Sequence, residues 1–227
     1  MNTQAPTVVL AHGAWADGSS WSRVIALLTQ AGVRAVAAPL PLTSLEDDVA
    51  ALDRTIERIA GPVVLAGHAY AGAVIGATRS ERVKGLVYVA ALAPDKGETV
   101  LDVFGRLPPH PLAPQLAPDA HGLIWLPQDA FPSAFAQHAS ESELAVLAAV
   151  QRPIALTGIT TPVGRPRWRD LPSWYLVADQ DRMIVAENQG FMAERMGAWV
   201  VHHPADHTPL VTAPEGVVAT ILEAVRA

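Results

Sequence analysis

The chain has 227 residues, of which 50% are apolar and 17% charged, with 22 acidic against 16 basic side chains and a net charge of −6. That length suits one α/β domain with a small insertion and a sizeable core. The acidic balance, without any run of Lys or Arg, excludes an electrostatic footprint for nucleic acid or anionic lipid. No cysteine occurs, which excludes disulfides, thiolate metal sites and cysteine nucleophiles.

Five residues precede the first apolar run at 6–11, too few for a signal peptide. No apolar stretch approaches the ~20 residues of a membrane span. The expectation is a soluble, cytoplasmic protein with no membrane partner. Strands are predicted at 7–11, 33–38, 62–66 and 83–90. These runs are apolar throughout rather than alternating, the pattern of strands covered on both faces. Between the second and third, Leu45, Val49, Leu52, Ile56 and Ile59 place one apolar stripe on a helix face. Ser44 is its predicted N-cap, with Asp47 three residues on, and Gly61 closes the segment. Strand–helix alternation of this kind implies a mostly parallel sheet with helices on both sides.

The alternation breaks after residue 93. Eight prolines fall within 94–132, and Phe104, Ile124, Trp125, Phe131 and Phe135 argue against disorder there. Residues of about 93–165 are therefore predicted to form a cap inserted in a single domain of 1–227, with Trp125 and Phe131 helping to enclose a substrate. A helix is expected near 141–149. Alternation resumes with a strand at 173–178, a helix near 187–196, a strand at 198–202 and a last helix from Pro214.

Four segments carry chemistry. Leu65-Ala66-Gly67-His68-Ala69-Tyr70-Ala71-Gly72 lies at a strand-to-helix junction. A nucleophile elbow, G-x-S-x-G, needs small flanks around a strained turn that lifts its central side chain above the sheet. The flanks are here, but alanine stands at the centre; the same run also suits a Gly-rich turn of any doubly wound protein. His12-Gly13-Ala14-Trp15 follows the first strand, where such folds place an oxyanion-hole loop. By position the backbone amides of Ala14 and Tyr70 would be the two donors. Asp179 and Asp181 follow the strand 173–178, and His207 follows 198–202. Acid after elbow and His last is the chain order this scheme uses. A metal reading of His202, His203, Asp206 and His207 fails because Pro204 interrupts the ligand pattern.

Together with Glu81-Arg82-Val83, Ala93-Pro94, Ser173-Trp174-Tyr175 and Asp181-Arg182-Met183-Ile184, these segments resemble the α/β-hydrolase superfamily. The branch they are most similar to is the bacterial hydrolases akin to plant methylesterases and hydroxynitrile lyases. The resemblance covers nearly the whole chain and is weakest in the cap. It implies an esterase acting on a small-molecule ester, with His207 as base, Asp181 rather than Asp179 as its acid partner, and Ala14 and Tyr70 as oxyanion donors. No cofactor or metal is implied. Trp15 is expected at the substrate together with Trp125 and Phe131.

Two departures stand out. Ala71 replaces a small Gly, and Ala69 replaces the serine, removing the only atom able to form an acyl-enzyme. Three readings follow: an esterase whose nucleophile has been replaced, a natural binding protein without turnover, and a lyase using His207 as base. The hydroxynitrile lyases carry Lys after the catalytic His, where Thr208 stands here. Oligomeric state is not legible in the sequence.

Overall fold

The computed structural model describes residues 5–227. The reading of the chain's first residues as too short for a leader falls in part on residues 1–4, which lie outside the described residues. Six strands form one sheet: β1 (Thr7–Ala11), β2 (Ala35–Ala38), β3 (Val63–His68), β4 (Val83–Val89), β7 (Ser173–Ala178) and β8 (Trp199–His203), in the order β2-β1-β3-β4-β7-β8 and parallel at every pairing. The other two strands, β5 (Leu123–Ile124) and β6 (Ile154–Ala155), form a short antiparallel pair of their own. β1, β3 and β7 are buried along their whole length, which is why their sequences are apolar without alternation.

The strand predicted at 83–90 ends one residue early. Ala90 turns to a φ of 44°, a left-handed backbone that cannot continue a strand. The strand predicted at 33–38 begins only at Ala35, and the one at 198–202 is shifted by one residue to Trp199–His203.

The helices of the frame are α1 (Ser22–Gln30), α2 (Leu45–Glu57), α3 (Ala71–Gly76), α7 (Ala186–Met196), α8 (Pro209–Thr212) and α9 (Pro214–Arg226). α2 starts as its sequence dictates. The Ser44 side chain accepts the Asp47 amide at 3.0 Å, and three acids in the first turn complement the positive end of the helix dipole. Leu45, Val49, Leu52 and Ile56 are its buried stripe. Gly61 does not end this helix, which stops at Glu57; its φ of 87° instead turns the chain into β3. Among the described residues no helix is long and apolar enough to cross a membrane.

Between β4 and β7 the chain forms an insert that contains the β5–β6 pair and the helices α4 (Val100–Phe104), α5 (Glu141–Val150) and α6 (Leu156–Thr160). Capping boxes at Thr99/Asp102 and Ser140/Glu143 start α4 and α5. The insert is tied to the frame by buried and half-buried bonds. Trp15 Nε1 donates to the Ile124 carbonyl at 2.9 Å, Asn188 Nδ2 to the Val103 carbonyl at 2.7 Å, and the His138 amide to Asp206 Oδ2 at 2.9 Å.

This topology positions the site. β1 has β2 on one side and β3 on the other, so the loops leaving β1 and β3 diverge and open a crevice at the carboxyl edge of the sheet. The register places Ala11 opposite Gly67, which brings residues 12–15 beside residues 68–70.

Candidate active site

The turn after β3 is built by small residues. Ala69 takes a φ of 49°, a left-handed backbone that costs a non-glycine residue roughly 1–2 kcal/mol. A Cβ on Gly67 would stand 2.8 Å from the Ala71 carbonyl oxygen, and one on Gly72 would overlap the Leu92 carbonyl oxygen, so neither position accepts a side chain. The turn is pinned from outside as well: the Leu92 amide donates to the Ala69 carbonyl at 2.9 Å. Across the crevice a Cβ on Gly13 would lie 2.9 Å from the Ala69 Cβ, so glycine there lets the β1 loop close on the elbow.

Opposite the elbow, His207 Nδ1 donates to Asp181 Oδ2 at 2.8 Å, with both side chains buried. The Asp181 carboxylate is held by three further donors: the amides of Met183 at 2.7 Å and Ile184 at 2.8 Å on Oδ1, and Gln189 Nε2 at 2.8 Å on Oδ2. Gln189 also accepts the Ala178 amide at 3.0 Å, which fixes the start of the acid loop to α7. Asp179 points elsewhere and pairs with exposed His202 at 2.7 Å. Below the His207 ring, the His68 imidazole is held well under the usual histidine value by burial and then by the neighbouring His207. His68 is therefore neutral, and its Nε2–H donates to the His207 carbonyl at 2.7 Å. Burial lowers His12 in the same way, and its Nδ1–H donates to the Gly13 carbonyl at 2.9 Å.

Among the described residues the backbone amides of Ala14 and Tyr70 have no hydrogen-bond acceptor within the protein. Ala14, Trp15, Ala69, Tyr70 and His207 all line one cavity of about 430 Å³, within the roughly 300–1,000 Å³ typical of small-molecule pockets. The insert supplies most of the remaining wall, including Phe104, Pro109, Ile154 and Ile159.

Two residues expected at the substrate, Trp125 and Phe131, do not line this cavity. Trp125 does not line the cavity; it is 47% exposed, and its Nε1 donates to Asp119 at 3.3 Å. It directly follows Ile124 of β5, which does line the cavity, so alternation along the extended chain turns Trp125 outward. Phe131 is buried in a wide helical turn behind the site, edge-on to Phe135 at 5.5 Å. Phe135 is the ring that reaches His207, at 5.3 Å, and Trp15, at 6.2 Å. Nothing in the sequence distinguishes Phe135 from Phe131. Gln189 and Asp48, which accepts the Tyr70 hydroxyl at 2.7 Å, are further buried polar residues that sequence reasoning missed.

A parallel sheet with an elbow after β3, an acid after β7 and a histidine after β8 is the layout of a hydrolase frame, and the sequence matches the alpha/beta hydrolase family over residues 8–220. The chain belongs to that family. Among solved structures it is similar to polyneuridine aldehyde esterase, with a TM-score of 0.83 at 20% identity, covering 97% of this chain and 99% of that one. It is also similar to an extracellular alpha/beta-hydrolase from a Paenibacillus species, with a TM-score of 0.80 at 20% identity over 98% and 100% of the two chains. A third similar structure is a pyrethroid hydrolase solved in a serine-to-alanine form, with a TM-score of 0.76 at 22% identity over 99% and 98%. At these identities the likeness shows the fold. No curated protein matches the chain.

Proposed function

We propose that this protein is a carboxylic-ester hydrolase of the serine type whose nucleophile position holds alanine, and that the chain as it stands binds a small ester without turning it over. The observation that carries the reading is Ala69 in a left-handed elbow, on the same cavity as a His207 hydrogen-bonded to buried Asp181. In this reading a serine at position 69 would attack the ester carbonyl while His207 took its proton. Asp181 would hold the ring and stabilise the imidazolium, and the Ala14 and Tyr70 amides would receive the oxyanion.

What supports replacement of a serine over natural loss of function is that the buried His207–Asp181 bond and the uncommitted Ala14 and Tyr70 amides are retained around Ala69. Strain at Ala69 persists although alanine has no chemistry to perform there. Two of the similar structures are by name an esterase and a hydrolase, and the serine-to-alanine form of the latter keeps the shared fold. Residues 93–165 act in this proposal as the cap, with Trp15 as part of the substrate wall. The cytoplasmic location expected from the sequence is retained in it, although one similar structure is by name extracellular.

The test is Ala69→Ser, assayed on short-chain aryl esters. The parent should show no turnover, since loss of the serine in a comparable triad costs ~10⁶ in kcat. The variant should hydrolyse, and His207→Ala added to it should abolish the gain. A folded Ala69→Ser protein inert toward all simple esters would sink the proposal.

A further inference from the structure

We propose that the cavity selects by charge: it takes an uncharged, largely apolar ester and rejects the carboxylate which that ester would yield. This rests on the ester reading above and adds to it the class of acyl group. Among the residues that line the cavity none is Lys, Arg, Asp or Glu, and the three polar ones are Tyr70, Gln115 and His207. Two of these three are already engaged. The Tyr70 hydroxyl donates to Asp48, away from any ligand, and His207 Nδ1 is committed to Asp181. Gln115 is neutral and sits on an exposed loop of the insert. For a ligand this leaves His207 Nε2 and two backbone amides, Ala14 and Tyr70, the amides suited to one carbonyl oxygen, with aliphatic and aromatic walls around them.

The entrance follows the same rule. Leu101 and Leu156 line the cavity while remaining 47% and 36% exposed, so the rim is apolar too. A carboxylate entering here would lose its water and find no cation. A cation could arise here only by proton uptake on His207, beside the Asp181 carboxylate, a step that binding of the neutral ester does not need. A charge buried without a partner is among the costliest things a protein site can accept.

The consequence lies in turnover. Hydrolysis breaks the acyl C–O bond, adds the water hydroxyl to the acyl carbon and its hydrogen to the alkoxy oxygen, and the acid then gives up its proton to solvent. The same lining that admits the neutral ester would thereby expel the acid product.

The experiment uses the chain as it stands, at pH 8, titrated calorimetrically with methyl 2-naphthoate, its ketone analogue 2-acetonaphthone and 2-naphthoate, with methyl benzoate and benzoate as a smaller pair. The neutral members should bind, and each carboxylate should bind roughly 100-fold more weakly or not at all. Leu156→Lys, a rim substitution at a half-exposed position, should strengthen carboxylate binding roughly tenfold. The proposal is overturned if a carboxylate binds as well as its methyl ester, if no neutral member of either series binds, or if Leu156→Lys leaves carboxylate affinity unchanged. Should ester and ketone both bind while Ala69→Ser fails to cleave the ester, the esterase reading falls and charge selection stands.

Discussion

Asp181 is a fully engaged anion, with four donors converging on its two oxygens, and one of them is the imidazole it orients. The donor from outside its own loop and the histidine is Gln189, whose amide spans Asp181, Ile184 and Ala178. Gln189→Leu would remove a charge-assisted bond and strand the Ala178 amide. Urea unfolding should show a loss of about 2–4 kcal/mol. Placed in the Ala69→Ser background, the same change should lower kcat roughly 10–100-fold with little change in KM, because the imidazole is misplaced rather than the ligand wall altered. A KM effect with kcat intact would assign Gln189 to the pocket instead.

Two features hold the elements in register around the elbow. Gly72 opens α3 against the Leu92 carbonyl, so Gly72→Ala forces backbone apart and should destabilise by about 2–4 kcal/mol in a denaturant titration. A neutral outcome would mean that the α3 contact relaxes freely. Asp48 joins three elements: it belongs to α2, accepts the Leu42 amide at 2.7 Å from the preceding loop, and accepts the Tyr70 hydroxyl at 2.7 Å from the elbow. Burial pushes its carboxyl from 3.8 up to about 6, against the pull of those two donors. The native state therefore keeps this proton to higher pH than the unfolded chain. The associated stability is complete below pH 3.8 and is lost as pH rises through about 6. Asp48→Asn removes that dependence, so unfolding free energies of variant and parent should shift relative to each other by up to about 3 kcal/mol, in the variant's favour, between pH 4 and 7. Parallel pH profiles would show that Asp48 is not the titrating group.

The frame was largely legible in the sequence because its signals are local. Strands buried on both faces read as unbroken apolar runs, and α2 announces itself through its stripe and its Ser44 cap. The insert was legible as irregular and aromatic, yet its internal placement was not. Which of Trp125, Phe131 and Phe135 packs against the His207 ring depends on a two-residue strand and a wide helical turn, which are set by contacts to distant residues. α4 and α6, five residues each, were likewise too short to read. At the site, spacing and chain order indicated Ala69, Asp181 and His207, and the structure brings the elbow and the histidine to one cavity with the acid behind the histidine. Gln189, Asp48 and Phe135 gave no signal, since a buried polar or aromatic residue looks the same in sequence whatever it touches.

As a whole, the molecule is a hydrolase frame in which two loops meet at the switch point between β1 and β3, a buried acid–imidazole pair stands opposite, and an insert closes an apolar cavity over them. In the function proposed above, this assembly lacks only an oxygen at position 69. Treating Ala69→Ser with a serine-directed aryl phosphonate and locating the adduct by peptide mass spectrometry tests it most directly. The account predicts stoichiometric labelling at position 69, absent from the parent and strongly slowed by His207→Ala. A folded Ala69→Ser protein that remains unlabelled, or labelling that proceeds equally without His207, would contradict it.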